Sequence, residues 1–181
     1  MSRTGILFTV AFLFAAAQFA SGQPRSTDRM LDKKIDHYRE KGYTVIKAGD
    51  FPSGNLTNTT NYVVVSVPYR DMLKIPESRT VILESGTRLF IEPSVSIQID
   101  GRLEAEYTGL NGVPPSDLYL GQMITNKNWR GIQVGASGSL RLSGVTISDV
   151  DSAVVCSAPR DSINLTCIKI TGKTACAVTI G

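Results

Sequence analysis

Asp149 and Asp151, separated by one residue, are the nearest this 181-residue chain comes to a pair of catalytic carboxylates. Hydrolysis of a glycosidic bond needs one carboxylic acid to protonate the leaving oxygen and a second to activate water or to attack. In an extended segment residues i and i+2 face the same way, so the two carboxyls could share a surface. Asp161 is a further acid nearby, and Arg141 and Arg160 are the basic residues that a lyase would need beside acidic calcium ligands. The sequence offers no cluster of Asp and Glu of metal-ligand density there, so a solvated turn accounts for the two aspartates better. The single histidine, His37, stands far from these residues, and neither a glycine-rich phosphate loop nor a serine nucleophile turn occurs. The expectation is a non-enzymatic chain with no catalytic residue, no metal and no cofactor.

Cys156, Cys167 and Cys176 are odd in number, which in a secreted chain suggests a thiol paired outside this sequence. Small buried side chains are the equal alternative. Phe90, Tyr107 and Tyr119 could stack on sugar rings, although packing is the expected role for most of them.

Three sequons, Asn55-Leu-Thr57, Asn58-Thr-Thr60 and Asn164-Leu-Thr166, make Asn55, Asn58 and Asn164 candidate glycosylation sites. The first two sit in a Gly/Asn/Thr-rich stretch that reads as an exposed loop. Arg3, the apolar run Ile6 to Ala17 and the small residues Ala20, Ser21 and Gly22 form the three-part layout of a secretory signal peptide. The run is too short to span a bilayer, so cleavage is expected between Gly22 and Gln23. No later stretch has the length and apolarity of a membrane span. The expected location is therefore secreted, or the extracellular part of a plasma-membrane protein. Without residues 1–22, 18 Lys and Arg face 16 Asp and Glu, scattered along the chain, which argues against a nucleic-acid partner.

The elements that must hold these residues follow from periodicity. Leu31, Ile35 and Tyr38 recur at helical spacing between Thr27 and Lys41, and Gly42 ends the pattern. The expected role of this helix is to pack on the end of the domain. Strands follow at Tyr62 to Val67 and Thr80 to Glu84. From Arg88 to Glu106 three short strands alternate apolar and polar residues, with Leu89/Ile91, Val95/Ile97/Ile99 and Leu103/Ala105 on the inward face. Ser139–Leu142 superposes on Ser162–Leu165 at an offset of 23 residues, as does Val145–Ile147 on Ile168–Ile170. With one residue of slip each way, Gly131–Val134, Ala153–Cys156 and Ala177–Ile180 also align. Three strands per coil and about 23 residues per coil describe a parallel β-solenoid. Thr108 to Asn128, rich in Gly and Pro, reads as a loop leaving one coil, with Gln122–Thr125 returning as a short strand.

The segments Leu89-Phe-Ile-Glu-Pro-Ser-Val95, Ile97-Gln-Ile-Asp-Gly-Arg-Leu-Glu-Ala105 and Trp129-Arg-Gly-Ile132 resemble the opening of the right-handed β-helix ectodomains of the bark beetle family of animal tricellular junctions. The resemblance covers Tyr62 to Val155, with Ser94 where that family has Gly. It implies a pectin-lyase-like right-handed parallel β-helix and a junctional adhesion or scaffold role, within a larger protein. Its motif residues are structural: Glu92 before Pro93 at a coil corner, Gly101 in a turn, and Trp129 with Gly131 where the loop rejoins the coil. The expected organisation is a signal peptide (1–22), an N-terminal cap and linker with the helix (23–61), and an all-β solenoid (62–181). Ala177–Gly181 leave a last coil uncovered, so the chain is expected to continue or to be capped by a partner. Expected partners are an extracellular protein or a second copy, and glycans. The competing function is a carbohydrate-binding or pectate-lyase-like secreted β-helix.

Overall fold

The computed structural model describes residues 26–52, 54–119, 128–172 and 176–180. After one helix, α1 (Ser26–Glu40), the chain builds three parallel sheets by visiting them in rotation. Sheet A holds β1 (Tyr43–Lys47), β3 (Asn61–Val65), β6 (Arg88–Ile91), β9 (Gly109–Gly112), β12 (Thr146–Ser148) and β15 (Lys169–Thr171). Sheet B holds β2 (Gly49–Asp50), β4 (Met72–Ile75), β7 (Ser96–Ile99), β10 (Gly131–Val134), β13 (Ser152–Cys156) and β16 (Cys176–Ile180). Sheet C holds β5 (Thr80–Leu83), β8 (Arg102–Glu106), β11 (Ser139–Ser143) and β14 (Ile163–Thr166), and Leu56 bridges to Leu83 at its start. This rotation is compatible with a β-solenoid.

Like residues stack inside. Leu73, Ile97, Ile132 and Val154 form one inward ladder across sheet B, and Val81, Leu103 and Leu140 another across sheet C; all are essentially inaccessible to water. Each such side chain contributes roughly 1.5–3 kcal/mol on burial. A one-residue slip would turn a whole ladder outward, so the alternation fixes the register. The repeat read from sequence is the pairing register: Leu140 opposes Ile163 and Thr146 opposes Lys169, each 23 residues on. Ile132 opposes Val154 and Val154 opposes Val178, the slip of one each way.

Three expectations are corrected. The sheets begin at Tyr43 rather than Tyr62, because β1 pairs with β3 along its whole length and β2 pairs with β4. Two short strands around Gly49 carry too little alternation to be read locally. The expected loop from Thr108 contains strand β9: its glycines answer a need for space, since a Cβ on Gly112 would lie 2.8 Å from Asp149 Cβ. Finally, α1 does not close the end of the domain but lies on the outer face of sheet A. Tyr38 joins the outward-facing Val63 and Val65 with Val113 and Leu118 in a second, smaller apolar cluster. The continuous run Tyr62–Val65, buried on both faces, is the signature of a strand covered on both sides. Gln122–Thr125, Gly22 and Gln23 lie outside the described residues.

Candidate functional site

The most closely packed polar group forms where α1 meets sheet A. Lys34 Nζ lies 2.9 Å from Glu92 Oε2 and also donates to the Ser66 carbonyl at 2.7 Å. The Tyr38 hydroxyl donates to Glu92 Oε1 at 2.9 Å, and Ser66 gives Glu92 Oε2 both its N–H and its hydroxyl. The Lys34 and Glu92 side chains are only 4% and 7% exposed, so this is a buried ion pair closed by neutral donors. Burial first, and then the Glu92 charge, raise the Tyr38 phenol far above its ordinary value. Glu92 does anchor a coil corner through Ser66 N–H, as expected, and Pro93 beside it is buried. Its link to the helix was missed. The available signal was Lys34 standing on the Leu31–Ile35–Tyr38 stripe, where a solvated lysine has no place.

A second layer locks the start of the excursion after β9. Asp117 accepts from the Tyr43 hydroxyl at 2.6 Å and from Lys41 at 3.1 Å, and His37 Nε2 donates to the Asp117 carbonyl at 2.9 Å. The Tyr43 hydrogen bond, helped by Lys41, holds the Asp117 carboxyl below its usual range. Burial and that same bond push Tyr43 up to about 12. Phe90 and Tyr119 are engaged here too, Phe90 edge-on to Tyr43 and Tyr119 beside His37.

The remaining motif residues are structural in distinct ways. Trp129 is fully buried and its indole N–H donates to the Ser148 carbonyl at 2.9 Å. Gly131, at φ 106°, faces the Ser152 carbonyl so closely that no side chain fits. Gly101 lies in the bend before β8 against the Pro76 and Arg79 carbonyls. Ser94, in place of a glycine, does adopt positive φ, 68°. Asp149 has φ 54° and is wedged between corner glycines, its carboxylate against Gly172 and its Cβ against Gly112. It is thus part of a corner, and no group of three or more His, Cys, Asp or Glu suited to a metal occurs among the described residues. Cys156 is a buried free thiol, and Cys167 an exposed one at φ 54°.

The outer face of sheet C is open. A groove of about 280 Å³ runs over it, lined by Ile82, Glu84, Glu104, Glu106 and Arg141 among others. The Arg102 guanidinium pairs with Glu104. Asn55, Asn58 and Asn164 are all exposed, and all lie on this side: Asn55 and Asn58 flank the Leu56 bridge, and Asn164 is in β14. On sheet B, the Gln98 amide donates to the Asp100 carboxylate and Lys74 pairs with it at 3.0 Å, and the two in that order hold Asp100 below its usual range. No described helix is long and apolar enough to cross a membrane. No family model, curated protein or solved structure matches this chain.

Proposed function

We propose that this chain is a right-handed parallel β-helix that serves as a non-enzymatic extracellular adhesion or scaffold module of a cell-junction protein. Parallel crossovers are right-handed in about 98% of cases, which supports the hand. The observation that carries the functional reading is the fate of Glu92, a buried carboxylate spent on holding α1 against sheet A. A shape held this way is suited to presenting outer faces to partners. The junctional role rests on the resemblance of Leu89–Val95, Ile97–Ala105 and Trp129–Ile132. Beads coated with the secreted chain are expected to aggregate, or to bind epithelial cell surfaces, well above a β-rich control protein. Depolymerisation of polysaccharide, with or without calcium, that is lost on Asp149→Ala and Asp151→Ala would overturn this reading in favour of a carbohydrate-active β-helix.

A further inference from the structure

Sheet C brings together a sequon and a groove that lie far apart in the sequence. Across its outer face, Asn164 opposes Arg141, Arg141 opposes Glu104, and Glu104 opposes Ile82. At about 4.8 Å per rung, Glu104 is roughly 10 Å from Asn164, within reach of a disaccharide core. The Asn164 carboxamide is posed by its own sequon: Thr166 Oγ1 donates to Asn164 Oδ1 at 3.0 Å, leaving Nδ2 directed elsewhere. Asn58, in contrast, spends Nδ2 on the Ser85 carbonyl at 2.9 Å. The Arg141 guanidinium has no ion-pair or hydrogen-bond partner among the described residues. Ile82 is a partly exposed apolar side chain on this ladder, 38% accessible. Guanidinium and carboxylate groups beside an apolar contact suit a pyranose, whose hydroxyls take the hydrogen bonds while its C–H face covers the hydrocarbon. At the adjoining corner Tyr107 is 68% exposed at φ 47°, its ring lying over Gly144 with the other face to solvent.

We infer that Asn164 carries an Asn-linked glycan whose core sugars lie along the outer face of sheet C, on Arg141, Glu104 and Ile82. Attachment joins Asn164 Nδ2 to the anomeric carbon of a lipid-pyrophosphate-linked oligosaccharide, the lipid pyrophosphate leaves, and one Nδ2 proton is lost. The groove is small beside the roughly 300–1,000 Å³ of ordinary ligand pockets, as suits one or two sugar units arriving from a tether. Among the described residues α1 lies over the first strands of sheet A, on a different face from the glycan.

The inference rests on the extracellular reading, so the test separates the two. The chain is secreted from insect cells behind a heterologous leader and, in parallel, behind its own residues 1–22. Glycan occupancy is read by intact mass in the parent, Asn164→Gln and Thr166→Ala. The rate of endoglycosidase release from the native fold is then compared between the parent and Arg141→Ala. The expected result is one glycan lost in each sequon variant, and release at Asn164 several-fold faster in Arg141→Ala with the rates at Asn55 and Asn58 unchanged. An unoccupied Asn164 behind the heterologous leader overturns the inference, as does occupancy with equal release rates in the two proteins. Failure of the chain's own leader alone overturns the extracellular reading and leaves the glycan assignment standing.

Discussion

Replacing Lys34 by Met would leave the Glu92 carboxylate, 7% exposed, without its cation. Breaking a buried pair from one side costs about 3–5 kcal/mol, because the remaining charge stays desolvated. Here Tyr38 and Ser66 still donate to the carboxylate, and each hydrogen bond to a charged group is worth roughly 1.5–3 kcal/mol. The cost therefore falls at the lower end, about 3 kcal/mol. Glu92→Gln is expected to cost a similar amount, since the Lys34 ammonium would then face a neutral amide. A domain of this size loses roughly 2–4 °C of Tm per kcal/mol, so each variant should melt about 6–12 °C below the parent. The double variant, Lys34→Met with Glu92→Gln, removes both charges and should lose at least about 2 kcal/mol less than the two single losses summed. Urea unfolding followed by circular dichroism gives all four corners of the cycle. Single variants within about 0.5 kcal/mol of the parent, the range of ordinary surface sites, would refute the claim that this pair is closed to water and holds the helix.

Three further outcomes are expected. Thr108 is buried, and its hydroxyl finds no partner among the described residues. The next rung already places Val145 at the equivalent position, so Thr108→Val should raise stability by about 1 kcal/mol in chemical denaturation. Gly131→Ala should cost more than about 3 kcal/mol and reduce the yield of folded protein, since both positive φ and the Ser152 carbonyl oppose a side chain. With pH, Asp100 and Asp117 are held below their usual range, so their stabilisation is present above about pH 4 and lost as pH falls through their lowered values. Tyr43 acts at the other limb: its unfolded form ionises near pH 10 and its folded form near 12, so stability falls as pH rises between them. Denaturation midpoints measured across pH should show that alkaline loss reduced in Tyr43→Phe.

Much of the three-sheet parallel architecture was legible because its rules are local. Alternation at Leu89/Ile91, Ile97/Ile99 and Leu103/Ala105 reports a buried face within four residues, and the 23-residue offset between Leu140 and Ile163 reports which residues stack. Strand β9 was hidden because glycine usually signals a turn, whereas here it makes room for Asp149 on the next rung.

By itself the sequence determined the alternating inward residues, the repeat period and the helix with its stop at Gly42, since each follows from spacing along one stretch of chain. Only the tertiary structure decided that α1 lies on the outer face of sheet A and that Lys34 meets Glu92 across 58 residues. The 23-residue repeat already laid Arg141 over Asn164, but only the structure added Glu104 and Ile82 to that ladder. Such pairings depend on which surfaces the folded coils leave side by side. An isolated segment has many ways to bury a lysine or to cover a valine, and close packing selects one of them.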